Sequence, residues 1–179
     1  QFFPLVKNVL GGDQTVVTLL LATFSIGVAV GSVAINRLLK GQVSARFAPA
    51  AALAMGLFVL VLYILSRGWQ PAPELIGIDA FLSRPGGWAV VLDLFAVAMA
   101  GGMFVVPLYA FLTTTVPKSE TARTVAANNI VNAGAMVAGS LIYIGLVFVG
   151  VPVAETLFLV AVASIVSAWI GWKLHLACD

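Results

Sequence analysis

Three asparagines within five residues are the side chains of this sequence best suited to binding a polar ligand. Asn128 and Asn132 lie one helical turn apart, and Asn129 lies beside them; the polar and small residues on the same helix face are Thr124, Asn128, Asn132, Ala135, Gly139 and Tyr143. Each amide offers two donors and an acceptor without carrying a charge, which suits hydroxyl and phosphate oxygens. Amides are costly in hydrocarbon unless they meet partners or water. Two interpretations stay open: the amides line a polar cavity, or they bond between helices and hold a bundle together.

A second polar stripe occurs earlier in the chain and consists of Thr18, Ser25, Ser32 and Asn36. Their spacing of seven, seven and four residues places them within about 40° of one another on a helix. The stripe predicts a second polar lining, although serine and threonine hydroxyls also bond back to their own helix. Gly27 and Gly31 form a GxxxG pair near the opposite face. This pair predicts close packing against a neighbouring helix or, alternatively, a dimerisation face.

Asp93 is a candidate for an ionisable group inside a membrane span. If the helix that contains it begins near Trp88, the carboxylate lies about five residues deep, and such a group is a functional candidate. The alternative is a hydrated position at the interface beside Arg84. Further along the same segment, Gly101-Gly102 and Pro107 predict a bend, because proline lacks an amide hydrogen and crowds the preceding turn.

Catalytic and cofactor-binding patterns are not found. The sequence has no glycine-rich phosphate loop, no nucleophile elbow and no His or Cys pair with metal-ligand spacing; His175 and Cys178 are its only residues of those types. The net charge of +2 is too small and too scattered for a nucleic-acid partner. We therefore expect no enzyme activity, no metal and no cofactor.

Composition requires that these residues be held by membrane helices. Hydrophobic residues make up 61% of the 179 and charged residues 9%, against about 45–50% and about 25% in soluble domains. About 20 apolar residues cross a bilayer as a helix, and only helices satisfy the backbone of such segments. The sequence predicts an all-α integral membrane protein whose spans are 14–38, 47–66, 88–112, 124–149 and 153–176. Because residue 1 is glutamine, residues 1–12 are interpreted as the end of a sixth helix in a longer protein.

The basic residues predict the orientation of the spans. Six lie on one side of the predicted membrane (Arg37, Lys40, Arg46, Lys118, Arg123, Lys173) and three on the other (Lys7, Arg67, Arg84). Basic residues concentrate in cytoplasmic loops, so the chain is predicted to start outside and end in the cytoplasm. The second and fifth spans are apolar nearly all round, which predicts broad lipid contact. The polar stripes of the other three spans are expected to converge.

Three segments resemble a known family. The run Gly101–Leu108, the run Ala126–Asn132 and the phrase from Gly11 to Gly27 resemble lysophospholipid transporters of the major facilitator superfamily, including forms fused to acyltransferase and acyl-carrier-protein synthetase domains. The superfamily's loop after its eighth helix usually carries an acidic residue before a basic one. Here Asn36-Arg37 occupies that gating loop, and the carboxylate is absent.

The resemblance implies a twelve-helix transporter of which this chain is the carboxy-terminal half, from the end of the seventh helix onward. It implies lysophospholipid transport by alternating access in a bacterial cytoplasmic membrane. The implied partners are membrane lipids, an amino-terminal transporter half and a fused or associated acyltransferase. Two other functions stay open: a facilitator for another small solute, and a non-transporting structural subunit of a membrane complex.

Overall fold

A computed structural model describes residues 2–70 and 74–178, so that Gln1, Pro71, Ala72, Pro73 and Asp179 lie outside these ranges. The side chains of Phe2, His175, Ala177 and Cys178 are not described. The regular secondary structure of the described residues is helical, and loops connect the helices; an isolated bridge joins Gly12 and Ile76. The elements are α1 (Phe2–Pro4), a π-helical turn (Leu5–Val9), α2 (Gln14–Leu38), α3 (Ala48–Arg67), α4 (Ile78–Ser83), α5 (Gly87–Thr114), α6 (Thr121–Phe148) and α7 (Val153–Cys178).

Five of these helices are long and apolar enough to cross a membrane: α2, α3, α5, α6 and, up to Leu174, α7. The chain is therefore an all-α integral membrane protein with five candidate spans, as the sequence predicts. Each observed boundary lies within three residues of the predicted one. The short helix α4 is a difference, because residues 67–84 are expected only to form a linker.

The spans alternate in direction, which gives the bundle two ends. We call one the cap end; it carries residues 5–13, α4 and the first turns of α2, α5 and α7. We call the other the basic end; it carries the loops 39–47 and 115–120 and the last turns of α7. The helix boundaries place the six basic residues of the larger set at or near the basic end.

Small residues decide which helices pack together. Helix α2 runs along α5, and α3 packs against both α5 and α7. A Cβ atom on Gly27 would lie 2.7 Å from the Phe95 carbonyl oxygen, and one on Gly31 would lie 2.8 Å from the Met99 carbonyl carbon. The GxxxG pair of α2 thus packs on the backbone of α5, in the manner of small-residue contacts in membranes. On α3, Gly56 approaches Ser164 of α7 in the same way.

The hydrophobic core lies at the cap end. Its buried members come from the opening segment, the start of α2, the end of α3, α4, and the starts of α5 and α7; they include Leu10, Leu20, Leu62, Phe81, Val90 and Leu157. Hydrogen bonds tie the opening segment to the loop before α4. The Asp13 amide donates to the Ile76 carbonyl at 2.9 Å, the Ile76 amide donates to Gly11 at 2.9 Å, and the Trp69 indole donates to Leu10 at 2.8 Å. The cap end is closed by both packing and hydrogen bonds.

The burial of α3 and α6 differs from the prediction. Helix α3, predicted to face lipid broadly, has eight buried residues, whereas α6, predicted to face the interior, has none. Helix α6 makes only sparse contacts with α5 and α7. The physical reason is that helix contacts in membranes follow small residues and close backbone approach rather than polarity. Residues such as Ala51, Ala52 and Gly56 give α3 the flat surface that two neighbours require.

Candidate functional site: a groove between α5 and α6

A groove of about 800 Å³ lies between the second half of α5 and the first half of α6. It contains all three predicted asparagines. Its other lining residues are Phe104, Val105, Leu108, Tyr109, Phe111, Leu112, Val131, Ala135 and Leu174. The volume is within the range of about 300–1,000 Å³ that is typical of small-molecule pockets.

The amides in this groove are available to a ligand. Asn128 is half-buried, and Asn129 and Asn132 are exposed. Within the described part of the chain, no side chain or backbone group forms a hydrogen bond with any of the three amides. In this structure the asparagines therefore do not join α6 to its neighbours, and their donors and acceptors face the groove.

The opposite wall of the groove is apolar and aromatic. Phe104, Leu108 and Phe111 follow one another at spacings of four and three residues on α5, and Leu174 closes the wall from α7. No charged side chain lines the groove. A site with this composition suits an amphiphile whose polar part carries hydroxyl, amide or phosphate oxygens and whose remainder is a hydrocarbon chain.

A short loop joins the two helices of this groove at the basic end. Helix α5 ends at Thr114, and the hydroxyls of Thr113, Thr114 and Thr115 bond back to carbonyls of its last turn. The chain then passes through Pro117, which cannot continue a helix, and α6 begins at Thr121. The hydroxyls thus satisfy their own helix and form no bond across the groove.

Asp93 lies elsewhere, in the cap-end third of α5. The residue is 8% exposed, and no ion pair joins it to Arg84 among the described residues. The Arg84 guanidinium instead donates to the Gln70 carbonyl at 3.0 Å. Eleven residues separate Asp93 from Phe104, which corresponds to about 16 Å along the helix. Asp93 and the asparagines therefore occupy different regions of the bundle.

The polar stripe of α2 also lies outside the groove. The Ser25 hydroxyl donates to the Leu21 carbonyl at 2.9 Å, and the Ser32 hydroxyl donates to the Val28 carbonyl at 2.7 Å, so both bond back to their own helix. Ser25 is exposed; Ser32 is half-buried beside Gly102, where a Cβ atom would lie 3.2 Å from the Ser32 hydroxyl. The structure does not bring the stripes of α2 and α6 together.

The remaining predicted residues have separate positions. Asn36 and Arg37 are exposed at the end of α2, and Arg37 closes a shallow apolar groove of about 360 Å³ along that helix. A Cβ atom on Gly101 would lie 3.8 Å from the Met55 sulfur of α3. Pro107 is buried, and α5 continues through it from Gly87 to Thr114. The bend that proline implies stays a prediction.

Sequence reasoning did not identify the aromatic wall of the groove. Phe104, Tyr109 and Phe111 lie on a helix that is apolar on most sides, so their pattern does not differ from that of lipid-facing residues. The proximity of Pro107 was the available signal, because a predicted bend directs attention to the side chains on either side of it.

No known protein family, curated protein or solved structure matches this chain. The fold and the groove therefore define its class, which is an all-α integral membrane protein with five candidate spans and an amide-lined groove near one end.

Proposed function

We propose that this protein is part of a membrane transporter that moves lysophospholipid, or a related single-chain amphiphile, across the membrane by alternating access. The observation that carries the proposal is the groove. It combines three amides that form no hydrogen bond to the described residues with an aromatic and aliphatic wall, and it lies toward the basic end, away from the packed core of the cap end. The resemblance of Gly101–Leu108 and Ala126–Asn132 to lysophospholipid transporters supports the same substrate class.

In the proposed complex the polar part of the lipid contacts Asn128 and Asn132. Their amides bond to the glycerol hydroxyl and to phosphate oxygens, and the acyl chain lies along Phe104, Leu108 and Phe111. Uncharged donors hold such a headgroup without the desolvation cost of a buried ion. The groove lies between α5 and α6, and α6 has no buried residue. In this proposal the lipid therefore enters from the bilayer, between the two helices, without crossing water.

The proposal also specifies an orientation and partners. The basic end faces the cytoplasm, as the six-to-three distribution of basic residues favours. An amino-terminal transporter half covers the exposed faces of α6, and an acyltransferase, fused or associated, consumes the lysophospholipid that is delivered.

Photo-crosslinking in nanodiscs tests the proposed site. The probe is lysophosphatidylethanolamine with a photoreactive acyl chain, compared among wild type, Asn128→Ala, Asn132→Ala and the control Ser140→Ala. Ser140 is an exposed polar residue of the same helix outside the groove. A net hydrogen bond contributes about 1 kcal/mol, so each asparagine variant should bind about fivefold more weakly.

Thermal stability is recorded beside binding, and it should be unchanged because the amides bond to no described group. Unchanged binding in both variants would show that the groove is not the site. A parallel loss of stability and binding would show that the amides are structural. With the complete transporter, uptake should fall in both variants while the amount of protein in the membrane stays constant.

A non-transporting structural subunit is the second candidate. The position of the α2 stripe favours it, since the Thr18 and Ser25 hydroxyls bond back to their own helix and no residue of α2 lines the groove. A structural subunit would bind the lysophospholipid probe no better than it binds a diacyl phospholipid with the same headgroup, so this comparison separates the two candidates.

A further inference from the structure

Asp93 is a buried carboxyl that the proposed lipid site does not use. It is 8% exposed, and its Oδ2 atom is buried without a hydrogen-bond partner. Its neighbours in sequence, Val90, Val91 and Leu94, belong to the cap-end hydrophobic core. A polar group with these surroundings is rare enough in folded proteins to require an explanation.

The geometry of α5 shows which side of the helix carries this carboxyl. Nine residues, or two and a half helical turns, separate Asp93 from Gly102, so the two lie on opposite faces. Gly102 packs on α2, where a Cβ atom would lie 3.1 Å from the Ser32 amide nitrogen. Asp93 therefore lies on the face away from α2, on a helix that also packs against α3, α4 and α6.

The ionisable groups on these neighbouring elements do not neutralise Asp93. The Tyr63 hydroxyl donates to Glu155 Oε2 at 2.7 Å, and Arg67 Nε lies 3.4 Å from Glu155 Oε1, so the arginine of α3 is paired with α7. Asp13 accepts from Thr15. At the cap end these elements carry Tyr63 and Arg67 in α3, Asp79 in α4, Tyr143 in α6 and, directly before α2, Asp13.

A carboxylate without a counter-ion is far more costly in an apolar site than a neutral carboxyl. We propose that Asp93 is a proton-binding site that is occupied while the cap end is closed, and that opening of the cap end releases its proton to water. On opening, the O–H bond of the Asp93 carboxyl breaks, the electron pair stays on the carboxylate, and the proton passes to the solvent on the cap side. Closure reverses these steps, so the packing of the cap end depends on pH.

The coupling between proton binding at Asp93 and opening of the cap end has a definite sign and size. The closed state binds one proton more than the open state, so a rise in pH favours opening. One linked proton changes the opening equilibrium by at most about tenfold per pH unit. This pH dependence does not require that the groove binds lipid, and it can be tested separately from the proposed function.

Cysteine labelling measures the opening. In a Cys178→Ala background, Val90→Cys reports on the cap-end core, because Val90 is 1% exposed, and Leu75→Cys, at a residue 51% exposed, corrects for the pH dependence of the maleimide reaction. The ratio of the two labelling rates should rise with pH by up to about tenfold per unit in the wild-type background. With Asp93→Asn the ratio should be constant, since asparagine has a similar shape and stays neutral. The other ionisable groups are unchanged in this variant, so a pH dependence of the labelling ratio that came from them would remain in Asp93→Asn.

Infrared spectroscopy detects the proton directly. At neutral pH the wild-type protein and Asp79→Asn, a change at an exposed carboxylate, should show the C=O stretch of a neutral carboxyl that is absent from Asp93→Asn. Absence of this band from the wild type would overturn the proposal, as would a labelling ratio with the same pH dependence in both backgrounds. Failure of Asp93→Asn to fold would overturn it as well, because a neutral isostere should fit a site that holds a neutral carboxyl.

Discussion

The two ends of this bundle are built differently. At the cap end, side chains from six elements form one core, and hydrogen bonds join the opening segment to the loop before α4. At the basic end, α6 stands apart from α5 and leaves a groove in which the asparagine amides form no bond to the described residues. The same five helices thus form a closed region and an open one.

This difference indicates where the bundle resists deformation and where it yields. Buried contacts and satisfied backbone groups raise the local cost of opening, and sparse contacts lower it. Motion that alternately exposes a site would therefore start from the groove end, while the cap end would need a specific trigger. Asp93 is the ionisable group that lies inside the closed region.

The largest effect on stability is expected from a substitution at the centre of the cap-end core. Phe81 of α4 is fully buried and packs on Trp69, with ring centroids 5.3 Å apart. Phe81→Ala should lower the free energy of unfolding by about 3–5 kcal/mol, because it removes apolar contacts and leaves a cavity. The control is Phe148→Ala, since Phe148 at the end of α6 is 90% exposed. Denaturant unfolding in detergent micelles is the measurement; equal effects of the two changes would contradict the assignment of the core to the cap end.

The second prediction compares two glycine substitutions, one expected to lower the free energy of unfolding and one expected to leave it unchanged or raise it. Gly31→Ala places a methyl group against the Met99 backbone, 2.8 Å from its carbonyl carbon, and should cost about 1–3 kcal/mol. Gly139→Ala lies on α6 with no atom within 4 Å and should be neutral or stabilise the helix by up to about 1 kcal/mol. Melting temperatures of the purified variants test both. A loss of stability at Gly139 as large as that at Gly31 would mean that α6 is packed as tightly as α2.

Sequence patterns predicted the spans well and their neighbours poorly. Length and hydropathy located five helices because transfer of an apolar helix into lipid depends on its composition alone. The same quantity does not distinguish a lipid tail from the side of another helix, so the packing of α3 and the exposure of α6 were not predicted. Gly27 and Gly31 indicated a close contact, but only the structure identifies Phe95 and Met99 of α5 as the partners.

The candidate site was predicted in part for a related reason. The asparagines stood out because amides are rare in hydrocarbon, and the structure places all three in one groove. Asp93 and Ser25 were grouped with them on polarity, and helical periodicity fixes only the angle about one axis. Helical periodicity does not identify the neighbouring helix that a given face contacts. Ser25 satisfies its own helix, and Asp93 lies at the other end of the bundle.

The smallest expected effect concerns the start of α2, where the cap-end hydrogen bonds meet the first membrane span. Asp13 caps this helix: its Oδ1 accepts from the Thr15 hydroxyl at 2.6 Å and from the Thr15 and Val16 amides at 2.8 and 3.1 Å. The Thr15 hydroxyl, followed by the Val16 amide, lowers the pKa of the Asp13 carboxyl below its usual value. A group whose pKa is lowered by folding stabilises the protein above its ordinary pKa, and this contribution is lost as the pH falls through the lowered value.

Asp13→Asn separates the charge from the cap, because asparagine also accepts bonds from helix amides but has no carboxylate to protonate. The wild type should melt at a slightly higher temperature than Asp13→Asn at neutral pH. This difference should start to shrink below about pH 4, the ordinary pKa range of an aspartate, and should vanish only when the pH is below the lowered pKa of the folded protein. Amide hydrogen exchange at Thr15 and Val16 should show the same trend locally. A difference in melting temperature that persists in acid would show that the carboxylate charge is not what the cap contributes, because both side chains are then neutral and still accept from the amides of Thr15 and Val16.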